Sequence, residues 1–322
     1  MSRGSPFIAA LALAALSGCG PSKPPEVPAT GGPWTASTDA GHPLVGRIWD
    51  PKKATFVASE DLIARASVAS FVFLGEKHDH ADHHRLQARV LKGVVRARRT
   101  PMLAVEMIDV DEQDKVAAAP SEPEAFAAAV GWDARGFAPF ASYKPVFEVA
   151  LAAELRVEGV NLPRAQAKAI ARGGLSVLDE ATRRRLALDA PVPADEEKQR
   201  EDEIRVAHCD HLPVQLLPTM ADAQRARDAQ MAERMASVPP SQGAVLIAGV
   251  GHVRLDRGAP KHLALRLPGA SMMSIAFIEV DRDKNEPQAY GDLPFDAVWF
   301  TPRLDDLDPC RAFRKRSAPA AP

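Results

Sequence analysis

Two short apolar runs, far apart in the chain, end in the same way: Phe73-Leu74-Gly75-Glu76-Lys77-His78 and Ile247-Ala248-Gly249-Val250-Gly251-His252. Short, continuous apolar segments that stop at glycine read as strands buried on both faces. Such strands need helices above and below them, which directs the chain toward an α/β sheet. The intervening sequence agrees. Ala69–Leu74 and Met102–Met107 read as strands, and Asp82–Arg99 between them carries Leu86, Val90, Leu91, Val94 and Val95 at helical spacing. Asp79 or Asp82 is placed to cap that helix. Strand, helix, strand predicts a parallel pair with a right-handed crossover. Further helices are expected over Lys144–Glu154, Arg164–Ala171 and Ala221–Ala236, and further strands over Val157–Leu162, Gly243–Ala248, Ser271–Val280 and Ala297–Phe300. The expected fold is α/β: a mostly parallel central sheet flanked by helices, with antiparallel strands allowed at its edge. A charged, Pro-punctuated stretch, about 178–218, reads as a helical insertion.

The ends of the chain carry a different message. Met1 to Pro6 holds one positive charge and is followed by the apolar run Phe7–Leu16, the anatomy of a secretory signal. It closes in Leu16-Ser17-Gly18-Cys19, which resembles the bacterial lipoprotein box, so residues 1–18 are expected to be removed and Cys19 lipidated. Gly20, where an Asp would signal retention in the inner membrane, points to the periplasmic face of the outer membrane. Residues 19–40, rich in Pro, Gly, Ser and Thr, read as a tether. The folded domain is expected over 41–312 and a frayed tail over 313–322. An oxidising compartment makes Cys209 and Cys310 candidates for a disulfide, although sequence separation alone cannot bring them together.

Forty basic side chains against 42 acidic ones leave a net charge of −2, without the basic excess of a dedicated nucleic-acid binder. With no CxxC pair, any metal must be held by His and carboxylates. In an open α/β sheet the functional edge lies at the carboxyl ends of the strands. His78 and His252 both leave such ends, and glycine there gives the backbone freedom and a ligand room. Val105-Glu106-Met107 sets a carboxylate in a third run that should be buried, where it needs a cation or a His beside it. His78, Glu106 and His252 are therefore expected to converge, a suitable ligand set for a divalent transition metal with positions left open. Glu76 would then serve as general base in a metal-dependent hydrolase. His80 and His84 can share a helix face at four-residue spacing, as can Gln224, Asp228 and Met231. His208, beside Cys209, is a candidate for supporting the pocket.

Taken in order, Leu74–Gln87, Glu106-Met107, Tyr143-Lys144-Pro145, Asn161–Arg164, His208-Cys209, the Gln224–Ala232 helix and Gly249–His252 resemble the ChaN-like haem-binding lipoproteins over residues 42 to 300. That family sits with the Tiki and erythromycin-esterase-like proteins, so the resemblance implies a ChaN/EreA-like fold. It implies haem as cofactor, a role in haem or iron uptake, and haem held between the protomers of a homodimer. In the Tiki branch the matching residues, His78, Glu106 and His252, imply metalloprotease-like ligands. Haem iron accepts His or Tyr ligands. His78, His252 and Tyr143 are accordingly the candidate haem ligands, Tyr143 preferred, with Lys77, Lys144 and Arg254 placed to pair with propionates.

Overall fold

The computed structural model describes residue 1 and residues 29–97, 99–308 and 310. The rest of the expected secretory signal, Cys19 and the expected tail over 313–322 lie outside them. In chain order the elements are β1 (Ile48–Asp50), β2 (Thr55–Val57), α1 (Ser59–Val68), β3 (Phe71–Glu76), α2 (Ala81–Arg96), β4 (Met102–Asp109), α3 (Gln113–Ala118), α4 (Pro123–Ala129) and α5 (Phe140–Ala152). There follow β5 (Val157–Asn161), α6 (Arg164–Gly173), α7 (Glu180–Arg185), α8 (Ala194–Ala207), α9 (Leu217–Met235), β6 (Ala244–Gly249), α10 (Ala259–Arg266), β7 (Met272–Glu279) and β8 (Ala297–Thr301).

The strands form one sheet in the order β2-β1-β8-β7-β3-β6-β4-β5. From β8 through β5 every pairing is parallel, whereas β1 runs antiparallel to both β8 and β2. Alternate residues of each strand face opposite layers. Val72, Leu74, Leu103, Val105, Ile247 and Phe277 pack under α1, α2 and α5, while Phe71, Phe73, Ala104, Leu246, Ala248 and Phe300 meet α9 and α10. Burial on both faces is what made these strands read as unbroken apolar runs.

The segment 178–218 contains α7, α8 and a 3₁₀ turn, Val214–Leu216. Leu178, Leu186 and Leu188 join Leu162, Ile170, Ala226 and Ala229 in a separate small core. Cys209, after α8, is bonded to Cys310. No helix among the described residues is long and apolar enough to cross a membrane.

Two expectations need correction here. Residues 29–40 are not free tether: the Thr35 and Ala36 amides donate to the Asp82 carboxylate at 2.9–3.1 Å, and Thr38 bridges Arg303. Consequently neither Asp79 nor Asp82 caps α2. His80 holds the cap position without a side-chain bond to the helix, and Asp82 instead gathers the preceding chain onto the domain.

Candidate functional site

Sheet order assembles the site. β6 lies between β3 and β4, with Glu76 opposite Gly249 and Val105 opposite Ile247. His78, just past β3, Glu106, in β4, and His252, just past β6, therefore meet at one edge. His78 Nε2 is 3.6 Å from Glu106 Oε2, and His252 Nε2 is 3.4 Å from Glu106 Oε1. They border a crevice of about 790 Å³ lined also by Lys77, Phe137, Gln224, Arg227, Val250 and Phe277.

Space is the reason for glycine at these ends. Neither Gly75 nor Gly249 has a positive φ. A Cβ on Gly249 would stand 3.0 Å from His78 Nε2, and one on Gly75 would overlap the Val253 side chain.

Glu106, 1% exposed, is satisfied by positive charge. Arg227 Nη2 donates to its Oε1 at 2.5 Å and the Gly249 amide to its Oε2 at 2.7 Å. Burial pushes the carboxyl up, but His252, His78 and Arg227 outweigh it and hold Glu106 well below the usual range. His252 is buried too. Its Nδ1 donates to Asp228 at 2.6 Å, and the Gln224 carboxamide lies 3.2 Å from Nε2. Asp228 also accepts from Arg200 of α8 at 3.2 Å. Burial disfavours the imidazolium, yet Glu106 and Asp228 raise His252 to about 9.

The other tip is built differently. The His78 side chain is 35% exposed, and its Nδ1 donates to Glu76 Oε1 at 2.9 Å. Burial lowers the His78 pKa, Glu106 and the bond to Glu76 raise it, and the net shift is upward. Phe137 lies edge-on to the ring at 5.0 Å. Glu76 is buried beneath, accepting from the Tyr143 hydroxyl at 2.5 Å and facing His84 Nε2 at 3.3 Å. Burial pushes its carboxyl up, but the His84 charge and the His78 bond bring it down to about 2.

Several assignments change as a result. Tyr143, fully buried and stacked on His84 at 3.7 Å, is not presented to the crevice as an iron ligand. Burial and the neighbouring Glu76 carboxylate raise its phenol far out of reach of ionisation, so it positions Glu76. Glu76 is a poor general base, being a weakly basic carboxylate already engaged by three side chains. The His78, Glu106 and His252 set is an ion-pair cluster that Arg227 joins as a further cation. Among the described residues no group of three or more His, Cys, Asp or Glu side chains has metal-holding geometry.

Arg254 is drawn aside by Asp256 and Glu203, and Lys144 pairs with Glu124, so neither borders the crevice. Lys77 does, half-exposed and 3.1 Å from Glu279. His80 pairs with His83, not His84, in a stack at 4.0 Å. His208 bonds the Ile204 carbonyl at the end of α8, away from the crevice. Of the α9 stripe, Gln224 and Asp228 serve the site and Met231 is core. Arg227 was missed, although it completes an i, i+3, i+4, i+7 face with those three.

A mostly parallel sheet flanked by helices, with duplicated His tips around a buried Glu at a strand-end crevice, defines an α/β architecture. Within it, the chain belongs to the family described as haem-binding uptake, Tiki superfamily, ChaN, whose profile matches residues 62–263. Its fold is similar to that of ChaN of Campylobacter jejuni, solved with cofacially bound haem, at 19% identity and a TM-score of 0.62, covering 78% of this chain and 95% of that one. The type III effector HopBA1 (14% identity, TM-score 0.41, 75% and 91% covered) and a mutant erythromycin esterase EreC (15%, 0.40, 68% and 72%) are more distant. No curated protein sequence matches the chain.

Proposed function

We propose that this chain binds haem at the strand-end crevice, in haem or iron uptake, as an exported protein anchored to a membrane through Cys19 and able to form a homodimer. The family supports haem as the ligand. The observation that carries the site is His78: one ring nitrogen is fixed on the buried Glu76 carboxylate, the other lies 3.6 Å from Glu106, and the residue lines the crevice. An imidazole that ligates a metal commonly donates its second nitrogen to a carboxylate in this way.

The remaining residues fit a flat apolar ligand carrying a metal. Phe137, Val250, Phe277 and Ile278 offer apolar wall, and Lys77 offers a cation at the rim. Bound haem would bring an iron able to accept the His78 imidazole. Glu76, Tyr143 and His84 would keep that imidazole oriented, and the positively charged His252 and Arg227 would keep Glu106 from drawing His78 inward.

The test is titration of the mature domain with hemin, followed at the Soret band. Wild type should show saturable binding and His78→Ala should lose it. A wild-type protein without a Soret shift would overturn the proposal. For the anchor, mass spectrometry of the envelope-extracted protein should find a lipid on Cys19, absent after Cys19→Ala.

A further inference from the structure

The solvent face of α2 carries a line of positive charge. Arg85, Arg89, Lys92 and Arg96 recur at i, i+4, i+7 and i+11, which sets them on a single stripe about 16 Å long, opposite the buried side formed by Leu86, Val90, Leu91 and Val94. Arg85 pairs with Asp82 at 3.1 Å and Arg89 with Glu60 at 3.5 Å. Lys92 and Arg96 are exposed and make no ion pair among the described residues. The helices packed beside α2 do not neutralise them: on α1, Glu60 is taken by Arg89, and on α5, Glu148 faces Lys144 at 3.8 Å. Like charges four residues apart repel and weaken the helix that holds them, so the stripe gains from a negative surface opposite it.

The chain that leads back to Cys19 docks beside this stripe. The Arg85 guanidinium lies 5.3 Å over the Trp34 ring, and that of Arg89 lies 5.5 Å over Trp299, whose Nε1 donates to the Thr30 carbonyl at 3.4 Å. Together with the Thr35 and Ala36 amides on Asp82, these contacts fix the segment to the N-terminal half of α2. Ala29 stands ten positions after Cys19, a reach of about 35 Å at full extension. A lipid on Cys19 therefore holds the stripe close to a bilayer, and cations on one helix face suit the phosphates of anionic lipids. A comparable row on α6, Arg164, Lys168 and Arg172, lies on the other layer, packed on α9, without the anchored segment beside it.

We propose that the face of α2 formed by Arg85, Arg89, Lys92 and Arg96 docks the protein on an anionic membrane surface. The choice of a membrane as partner rests on the reading that Cys19 is anchored. With α2 flat on the bilayer, the crevice, which lies off the N-terminal end of that helix, opens along the surface and stays clear of it.

Cys19 is the only cysteine outside the Cys209–Cys310 bond. The experiment couples the mature chain, residues 19–322, through Cys19 to a maleimide lipid in vesicles. This supplies an anchor whether or not the cell lipidates that residue, so the docking surface and the anchoring reading fail separately. Lysines are acetylated with acetic anhydride and followed by mass spectrometry, on vesicles of phosphatidylglycerol with phosphatidylcholine and on vesicles of phosphatidylcholine alone. Lys92 should react about fivefold or more slowly on the anionic vesicles than on the neutral ones, while Lys168 on α6 reacts equally on both. High salt should abolish the difference, because it screens charges held at a surface. Arg96→Glu, which removes a side chain without an ion pair, should also bring Lys92 back toward its rate on neutral vesicles. Equal Lys92 rates on the two vesicles overturn the proposal. So does protection of Lys168 to the same degree, or protection of Lys92 that survives salt or Arg96→Glu.

Discussion

The two His tips share a motif and a register but not a role. His252 is sunk between Glu106 and Asp228 and held at a positive charge, with Arg200 of the insertion behind Asp228. His78 stands at the crevice wall, a third exposed, on a platform of Glu76, Tyr143 and His84. Repetition in sequence therefore need not mean two equivalent ligands. One copy is a buried counter-charge to Glu106, and the other, which also faces Glu106, stays a third exposed at the crevice wall.

The contrast is broken most sharply by stability. Asp228→Asn removes the negative charge shared by His252 and Arg200 and turns one of its two acceptor oxygens into a donor, and should cost about 3 kcal/mol in urea unfolding, because buried ionic groups lose their counter-charge. His78→Ala removes one bond from a Glu76 that keeps two other neighbours, and should cost only about 1 kcal/mol while abolishing the hemin-induced Soret shift. Equal losses for the two variants would erase the distinction.

Next in size is Tyr143→Phe, which takes the hydroxyl from Glu76. It should lower stability by roughly 1–2 kcal/mol and weaken hemin binding several-fold without abolishing it, because the phenol orients the His78 support and does not touch the ligand. Complete loss of the Soret shift in a folded variant would restore Tyr143 as the iron ligand.

The tips should also part company with pH. His252 is raised from 6.5 to about 9, so its contribution to folding is complete below pH 6.5 and is lost as pH rises through about 9. Glu76 is lowered from 4.5 to about 2, so its contribution is complete above pH 4.5 and is lost as pH falls through about 2. The urea midpoint should fall on the alkaline side in wild type, and that fall should be absent in His252→Gln. The smallest effect belongs to Gly249→Ala. Its new methyl would crowd the His78 ring, so hemin affinity should drop modestly with little change in the midpoint.

Six strands of the sheet were legible because burial on both faces leaves a periodicity-free apolar run. β1 and β2 were not, being three residues each and lying at the sheet edge. Neither was α10, whose eight residues carry too few turns for a pattern to emerge. The convergence of His78, Glu106 and His252 followed from topology, and the need of Glu106 for a cation followed from the cost of burying charge. That this cation would be Arg227 was readable only by extending the α9 stripe one step. Arg200 left no trace in the sequence, because it reaches Asp228 from a different helix. Tyr143 was misjudged on chemical type: a phenol suits ferric iron, but its surroundings here are the packed side chains of Trp132 and His84.

Placing β6 between β3 and β4 has a consequence for the order of assembly. The two strands that flank it are synthesised early, yet they cannot touch, and the slot between them stays vacant until the ribosome has made about 250 residues. During that interval two apolar backbone edges stand open in the growing polypeptide, the kind of surface on which other chains nucleate aggregates. A product truncated before β6 would lack β7 and β8 as well, leaving β3 with neither neighbour and β4 paired only with β5.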